Sequence, residues 1–535
     1  MTNAFRDVDV AIVGFGPGGA VLASLLGLTG HSVVVFEKSA KPYGLPRMST
    51  LDGEIARVLQ HAGDPAVALR ESIPQLEVEM YGIDGSLVAT MDWSHQHSGY
   101  PSHLSLHQPN IETAMSERIA AYDHVTVLWD HAVTDFTSHG DGFDVIAASG
   151  AGDDAVGVRA RYLVGMDGAS SFVREKLGID LEVLHRHNDR WVLTDYEVLK
   201  PLPNELGRRI YIDMDLQTPY FFGPNGAGRC RTDVRLSTAA SDEFVAADSE
   251  SGFEFLETRV GIPRDHVKQT RRVVYRFRSH MASALQDRNA FIGGDAAHAM
   301  PPHMGQGACT AMRDGANLAW KFDLVLRGIS DPSLLATYES ERLEHDSQFV
   351  YGSLGSWSMA TQTDARSAAQ RDEFLRSTNE SLDVYIEPLR DGILHRPSPG
   401  TYGMNAGELA PQGRVCFEGR EALLDDLTGY GFQLVSITPL DDELGAQRLA
   451  KLDQIGVHRV VIGDRSGQFA DIDGVYSTYF SEHNAVAFIG RPDVYTFGAA
   501  TDTTALIAMV DDLLTQLLTA DTISTGTDTL QGATQ

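Results

Sequence analysis

The first apolar run of the chain predicts a buried parallel strand, because DVDVAIVG at residues 7–14 is dense in Val, Ile and Ala. It passes directly into the glycine-rich stretch GFGPGG at residues 14–19 and then into AVLASLLGL, an apolar segment of helical character. A second apolar run, SVVVFE, follows and ends in Glu37. The pattern predicts a strand, a tight turn, a helix and a second strand.

Two later segments repeat the change from an apolar strand to a helix. ARYLVGMDGASSFVREKLG at 160–178 predicts a strand ending at Asp167, although the pattern alone also fits an ordinary connection capped by Asp and Ser. RNAFIGGDAAHAMPPHMGQGACTAMRDGANLAWKFDLVLRG at 288–328 predicts a short buried strand, an extended proline linker and a long helix. In both segments polar side chains follow the end of a strand.

The rest of the chain divides into three patterns. Between residues 181 and 280 the runs WVLTDYEV, RRIYIDMD and RTDVRLS alternate in polarity, which predicts an antiparallel sheet. A helical stretch near 337–385 is followed by HRPSPGTYGMNAGELAPQG, a Gly- and Pro-rich segment typical of a linker. Beyond it, FQLVSI, RVVIGD and NAVAFIGRPDVYTFGAA predict buried strands of an α/β unit that contains the helix ALIAMVDDLLTQLL.

Length and charge restrict the class of protein. A chain of 535 residues is expected to form two or three domains. With 43 Lys and Arg against 73 Asp and Glu, the net charge of −30 disfavours nucleic acid and anionic lipid as partners. Residues 10–28 are uncharged, but the glycine turn interrupts them, so we predict no membrane segment. The three cysteines form no CxxC and no metal-binding pattern, which fits a reduced, cytoplasmic location without a metal site.

The glycine turn has the chemistry of a dinucleotide site. Gly14, Gly16 and Gly19 form GxGxxG, which lets the backbone approach a pyrophosphate at a helix N-terminus. Glu37, about 20 residues further on, can accept hydrogen bonds from an unphosphorylated ribose. A plain glycine-rich turn is the alternative, and the motif leaves open which dinucleotide binds.

The segment at 288–328 suits a flavin ring. Asp295 follows a strand and can hold hydroxyl groups, while Gly305 and Gly307 free the backbone before the long helix. The helix N-terminus is positive and would face the edge of an isoalloxazine that becomes negative on reduction.

Taken in this order, the three segments resemble the class A flavoprotein aromatic hydroxylases, single-component monooxygenases of the para-hydroxybenzoate hydroxylase type. The DG motif of that family is matched by Asp167, Gly168, Ser171 and Arg174, and its GD motif by Gly294, Asp295, Pro301 and Pro302. The subgroup of 3-(3-hydroxyphenyl)propionate hydroxylase and phenol hydroxylase has counterparts of LPRMSTLDGEIARVLQHAG, LHQPNIETAM, GDAAH, RDGANLAWK and TYESERLEHD.

The resemblance implies an α/β fold with a Rossmann-like FAD-binding domain, an inserted, mostly antiparallel β-sheet substrate domain and a C-terminal thioredoxin-like α/β domain. The third domain has no CxxC, so we predict packing or homodimer formation there rather than redox chemistry. The implied boundaries are 1–75, 100–180 and 281–395 for the FAD-binding domain, 76–99 and 181–280 for the substrate domain, 396–412 for the linker, 413–520 for the thioredoxin-like domain and 521–535 for a disordered tail.

The resemblance also implies the reaction. FAD would be resident, NADH or NADPH would be a co-substrate because no second GxGxxG occurs, and O2 would be consumed. A small phenolic ring would be hydroxylated, in the ortho position, through a flavin C4a-hydroperoxide. A flavin oxidoreductase that moves hydride without oxygen insertion and a flavin-binding protein without oxygenase turnover are the alternatives. The ring substrate stays open.

Site residues are carried over from the matching motifs. The cofactor-binding set is Gly14, Gly16, Gly19, Glu37, Lys38, Arg47, Gln108, Asp167, Asp295, Gly305, Gln306 and Gly307. Within this set, Arg47 would lie beside the pyrophosphate and the mobile flavin, and its alternative is a surface charge before a helix.

Catalytic and substrate residues follow the same resemblance. Asp52 and Tyr275 would assist the phenol, although Asp52 also fits a helix N-cap and Tyr275 a half-buried strand aromatic. Pro301 and Pro302 would shape the wall beside the flavin, and His303 and Met304 would face the substrate. Arg231 or Arg235 would meet a substrate carboxylate, unless both are solvated strand residues.

Overall fold

The structure, a computed structural model, describes residues 5–150, 155–203, 206–236, 242–246, 250–378 and 387–519. Three sheets of four or more strands organise them. No helix in these ranges is both long enough and apolar enough to span a membrane. The predicted tail at 521–535 lies outside the described residues.

The first sheet confirms the predicted strand, turn, helix and strand, with Arg6–Val13, Pro17–Leu28 and Val33–Glu37 in sequence. Five of its strands run parallel, so their carboxyl ends meet at one edge, where Glu37 ends one strand and Gly14, Asp167 and Asp295 follow three others. Its path, in spatial order, is Val125–Trp129, Val33–Glu37, Arg6–Val13, Ala155–Gly165, Gly142–Ser149 and His131–His139, and Ala290–Ile292 joins Ala155–Gly165 and Gln286–Asp287.

Two helices cross at this edge because glycines let their backbones touch. A Cβ on Gly18 would lie 2.4 Å from the Ala311 carbonyl oxygen, and a Cβ on Gly315 would lie 2.5 Å from the Gly18 carbonyl oxygen. The helices are Pro17–Leu28 and Gly307–Leu326. Their close crossing holds both N-termini at the same end of the sheet.

The second sheet contains the alternating runs predicted between 181 and 280. It is antiparallel except where Arg209–Asp213 pairs in parallel with Glu77–Tyr81. Its seven strands, in spatial order, are Val267–Tyr275, Arg190–Val198, Arg229–Leu236, Tyr220–Pro224, Arg209–Asp213, Glu77–Tyr81 and Leu87–Asp92.

The third sheet carries the C-terminal apolar runs, and NAVAFIGRPDVYTFGAA forms two antiparallel strands joined by a turn. Part of the predicted linker packs on it, since Leu409 bridges to Tyr495 and Ala410 is 2% exposed. The strand order is His458–Val461, Gln433–Ser436, Ala487–Gly490 and Thr496–Ala500, with only the first pair parallel.

Buried ion pairs attach this C-terminal part to the rest of the chain. Arg57 Nε lies 2.7 Å from Asp425 Oδ2, and Arg491 Nη2 lies 2.7 Å from Glu341 Oε2. All four side chains are buried. Charges removed from water at such a contact require their partners, so the C-terminal part is docked in a defined position.

Shorter strands complete the fold: Thr50–Asp52, Ile73–Pro74, Gln96–His97, Tyr100–Pro101, His103–Ser105, Leu181–His185, Ser279–Ala282, His298–Ala299, Arg414–Phe417, Arg420–Leu423 and Ala470–Asp471. The remaining α-helices are Gly53–Ala62, Pro65–Ala68, Gln108–Ala120, Phe172–Leu177, Asp242–Val245, Glu250–Phe255, Thr337–Ala360, Ala365–Ser377, Leu424–Thr428, Asp441–Ile455, Val475–Glu482 and Thr503–Leu517.

Candidate active site

A cavity of about 1810 Å³ extends from the parallel edge of the first sheet to one face of the second sheet. Its first end is lined by the glycine turn, Glu37 and Lys38, and its far end by Trp191, Asp233 and Tyr275. Tyr495, from the C-terminal part, also contributes to the wall. The volume is large enough for a dinucleotide and a small ring together.

The glycine turn is shaped by close backbone contacts. Gly14 has φ +106°, and a Cβ there would lie 2.3 Å from the Met166 carbonyl oxygen. A Cβ on Gly19 would lie 2.2 Å from the Gly14 carbonyl oxygen, whereas one on Gly16 would meet no described atom within 4 Å outside its chain neighbours. Gly14 and Gly19 are therefore needed for the turn, and Gly16 leaves its open side to the cavity.

The helix after this turn presents free N–H groups to the cavity. It begins at Pro17 with Gly16 as its N-cap, and its first turn holds only small or apolar residues. Its positive end is therefore available to an anion. Glu37 accepts hydrogen bonds from the Phe15 and Ser39 backbone N–H groups at 2.9 and 2.8 Å, and Lys38 is exposed at the rim.

Asp295 supplies an open acceptor further along the cavity. Its side chain is exposed to the cavity but surrounded by protein, and burial raises its pKa against the opposing effects of His298 and His280. No described residue forms a hydrogen bond or an ion pair with its carboxylate. A ligand hydroxyl can satisfy this group.

The second helix N-terminus lies next to Asp295. Gly305 has φ +68°, and the helix begins at Gly307. Gln306 is the N-cap residue, but its side chain turns to Asp52 and Arg313 instead of capping the helix. The backbone N–H groups at the start of this helix therefore face the cavity.

Asp167 caps a helix and also lines the cavity. Its carboxylate accepts from the Ser171 hydroxyl and from the Val173 N–H at 3.1 Å, so the alternative of an Asp- and Ser-capped connection describes these contacts correctly. Arg174 Nη1 donates to the Ala296 carbonyl oxygen at 3.0 Å. This bond ties the DG segment to the GD segment.

Gln108 organises the segment that carries Arg47. Its Oε1 accepts from the Arg47 and Met48 backbone N–H groups, each at 2.8 Å. The exposed Arg47 guanidinium lies 3.9 Å from the centroid of the Tyr43 ring. Gln108 thus acts on this segment through the backbone and lines the cavity itself.

Asp52 belongs to a buried network that the sequence did not predict. It is the N-cap of a helix, as its alternative interpretation expected, and accepts from the Ile55 N–H at 2.9 Å. Its other oxygen lies 2.6 Å from Arg313 Nη2. Burial would raise the pKa of Asp52, but Arg313 and the Ile55 N–H outweigh it and lower the pKa below its ordinary value.

Arg313 connects this network to the C-terminal part. It donates to Glu54 Oε2 at 2.9 and 2.8 Å, and Tyr495 donates its hydroxyl to Glu54 Oε1 at 2.7 Å. The one sequence signal was the charged pair Arg313-Asp314 in the first turns of a helix that is largely buried. Its partners come from segments far apart in the chain.

The face of the second sheet carries Tyr275 and Asp233. Burial and the nearby Asp233 raise the pKa of Tyr275 well above its ordinary value, so Tyr275 is a neutral hydrogen-bond donor. Burial likewise raises the pKa of Asp233 to about 7, against the opposing effect of Arg231. Sequence reasoning missed Asp233 because an aspartate in an alternating strand resembles a solvated residue.

The Arg231 guanidinium, predicted to meet a substrate carboxylate, is hydrogen-bonded to groups of the protein itself. It donates to Asp195 Oδ1 at 2.7 Å and to the carbonyl oxygens of Pro46 and Arg47 at 2.6 and 2.7 Å. Arg235 likewise donates to the Thr361 carbonyl oxygen at 2.7 Å. Both arginines are buried and hydrogen-bonded within the protein, which leaves little of either guanidinium for a substrate carboxylate.

The proline turn forms another part of the wall. Pro301 is buried, whereas Pro302, His303 and Met304 line the cavity. The His303 ring centroid lies 5.2 Å from that of Trp191. Burial lowers the pKa of His303 to about 3, so this ring is neutral and acts as an aromatic wall.

Family comparisons match almost the whole chain. Residues 7–353 match the family described as FAD binding domain, and residues 407–516 match the family described as HcaD C-terminal domain. The chain is 32% identical to the "Probable NADH-specific resorcinol 4-hydroxylase" of Rhodococcus jostii (strain RHA1), over 95% of each chain. It is 30% identical to the 3-(3-hydroxy-phenyl)propionate/3-hydroxycinnamic acid hydroxylase of Mycolicibacterium smegmatis (strain ATCC 700084 / mc(2)155), over 93% of this chain and 91% of the relative.

Solved structures share the fold. The flavin-dependent monooxygenase PieE, in complex with FAD and substrate, aligns with a TM-score of 0.77 at 19% identity, over 96% of this chain and 99% of that one. Aklavinone-11 hydroxylase, in a ternary complex with FAD and aklavinone, aligns with a TM-score of 0.75 at 20% identity, over 96% and 100%. At these identities the likeness concerns the fold alone.

Proposed function

The chain belongs to the FAD binding domain family, and from this premise we propose that it is a single-component, FAD-dependent monooxygenase that hydroxylates a phenolic ring with NADH and O2. The observation that carries the proposal is the continuous cavity, which joins the glycine turn to the sheet face of Tyr275. A hydroxylase of this kind needs cofactor and ring in one enclosed space.

The residues of the first part of the cavity fit FAD. Gly14, Gly16 and Gly19 offer an open turn at a helix N-terminus, and Glu37 would accept from ribose hydroxyls. Asp295 has an unsatisfied carboxylate for the ribityl hydroxyls. Lys38, Arg47, Gln108 and Asp167 line the same space, and Gly305, Gln306 and Gly307 present the second helix N-terminus. Bound there, FAD would supply the activation of O2 with electrons from NADH.

The far part of the cavity would receive the phenol. The Tyr275 hydroxyl, which is hydrogen-bonded to Asp233, would accept a hydrogen bond from the phenol, and the neutral His303 ring and Pro302 would exclude water beside the reacting atoms. Asp52 stays ionised next to Arg313 and would accept a hydrogen bond from the phenol hydroxyl. Phenols or resorcinols would be substrates by analogy with the named relatives. Ortho attack stays a prediction.

We also propose the three-unit division of the sequence analysis. The second sheet would be the substrate domain, and the C-terminal sheet, in which a parallel pair is followed by an antiparallel pair, would be thioredoxin-like. The cytoplasmic location and the homodimer stay predictions.

Oxygen incorporation tests the proposal. The purified protein with FAD is expected to consume NADH faster when a phenol is added and to yield a product that contains one atom from ¹⁸O₂. Hydride transfer without oxygen insertion, the alternative function, would give NADH oxidation and hydrogen peroxide but no labelled product. That second outcome would reject the hydroxylase.

A further inference from the structure

One carboxylate on the substrate-side sheet lacks a strong partner. Asp233 lies in the strand Arg229–Leu236, opposite Leu193 on one side and Phe221 on the other, and it lines the cavity. Its Oδ1 atom is buried and has no hydrogen-bond partner among the described residues. A buried acceptor that lacks a partner is costly, and a ligand can remove that cost.

The two arginines near Asp233, Arg231 and Arg271, form their hydrogen bonds with other groups. Arg231 donates to Asp195 and to two backbone carbonyl oxygens. Arg271 donates to the Pro46 carbonyl oxygen and to the Tyr43 hydroxyl, and lies 3.7 Å from Asp195. In the described part of the chain, no Lys, Arg or His side chain forms an ion pair with Asp233. Arg231 therefore only partly offsets the effect of burial on the pKa of Asp233, and the Tyr275 hydroxyl lies beside the carboxylate.

We propose that Asp233 is a specificity-determining residue, which accepts a hydrogen bond from a hydroxyl group of an uncharged phenol and excludes phenols that carry a carboxylate. This inference rests on the proposed function. A neutral hydroxyl satisfies the open oxygen, whereas a second carboxylate in the same enclosed chamber would be repelled. Arg231, on the same strand as Asp233, is paired with Asp195 and does not neutralise Asp233 through an ion pair.

The charge of Asp233 responds to pH near neutrality. The charged groups around it are Arg231, Asp195 and Arg271, and Tyr275 contributes a neutral hydroxyl. Burial raises the pKa of Asp233 to about 7. The ionised form, which predominates above that value, is the stronger hydrogen-bond acceptor and the stronger barrier to a carboxylate.

The test compares resorcinol with 3-(3-hydroxyphenyl)propionate on the FAD-loaded enzyme. For the wild type, we expect kcat/KM for resorcinol to be higher by about tenfold or more, as like-charge repulsion in a closed site implies. Asp233→Asn should raise KM for resorcinol about tenfold, the effect of losing a charged hydrogen bond, and should lower KM for the carboxylated phenol. Glu197→Gln, an exposed carboxylate on the same sheet, is the matched control and should leave the ratio unchanged.

The outcomes separate the two proposals. If neither phenol gives an oxygenated product, the proposed function fails. If resorcinol is hydroxylated but the wild type prefers the carboxylated phenol, or Asp233→Asn leaves the ratio unchanged, only the role of Asp233 is overturned. Should the variant fail to fold, equilibrium binding of both phenols to the wild-type holoenzyme decides, because the preference for resorcinol must grow as pH rises through about 7.

Discussion

Two carboxylates line the same cavity and are both surrounded by protein, yet their pKa values move in opposite directions. Asp52 has its pKa lowered because Arg313 and a backbone N–H outweigh the effect of burial. Asp233 has its pKa raised to about 7 because burial outweighs the opposing effect of Arg231, whose guanidinium pairs with Asp195. The comparison teaches that the available partner decides the charge of a buried carboxylate.

This difference gives two groups of residues in the cavity wall different properties. The Asp52 network, formed by Asp52, Glu54 and Arg313, holds paired charges beside the start of the helix Gly307–Leu326. Asp233, by contrast, changes charge near neutral pH.

Arg313→Met removes the cation of the Asp52 network and should have the largest effect on stability. Asp52 and Glu54 would be left as buried carboxylates without their cation, at a cost of roughly 3–5 kcal/mol in the free energy of unfolding. Urea unfolding measures this cost. Arg327→Met removes a half-exposed guanidinium at the C-cap of the same helix, and because Asp323 keeps His31 as a partner it should cost less than about 1 kcal/mol. Equal effects would refute the importance of the network.

Asp52→Asn should separate catalysis from folding. The amide oxygen can still cap the helix, and Glu54 still pairs with Arg313, so the fold should persist. The amide nitrogen would face the Arg313 and Gln306 donors, which should cost roughly 1–3 kcal/mol of stability. Loss of the fixed negative charge should lower kcat for hydroxylation about a hundredfold. Asp64→Asn, at the exposed N-cap of the helix Pro65–Ala68, is the control. A normal kcat in Asp52→Asn would exclude Asp52 from the chemistry.

Tyr495→Phe tests whether the C-terminal part stabilises the Asp52 network through Glu54. The variant removes the 2.7 Å hydrogen bond to Glu54 and should cost roughly 1.5–3 kcal/mol of stability. Tyr351→Phe, at a tyrosine that is 54% exposed, should have no effect on the unfolding midpoint. If both variants unfold alike, Tyr495 does not stabilise the site.

The pH dependence of activity and stability tests the other carboxylate of the comparison, Asp233. The ionised fraction of Asp233 should rise about fivefold between one pH unit below its pKa of about 7 and that pKa, and kcat/KM for a neutral phenol should rise with it. Stability should move the other way, because a raised folded-state pKa means that stability is lost as pH rises from the ordinary value towards 7. Asp233→Asn should flatten both curves, and retained slopes would assign them to another group.

The sequence predicted those features that are contiguous in the chain. The strand, glycine turn and helix around Gly14 and the position of Asp295 after its strand follow from local patterns. Asp233 and Arg313 were missed, because what makes them important is which distant side chains stand beside them. Arg231 was predicted to contact a substrate carboxylate for the same reason, because the local sequence does not show that its guanidinium pairs with Asp195.

The crossing of Gly18 and Gly315 has a consequence for engineering this protein. Neither position has room for a Cβ atom, so even alanine would push apart the two helix starts that face the cofactor site. Mutant libraries built to alter the substrate range should therefore keep both codons fixed and randomise the sheet face instead.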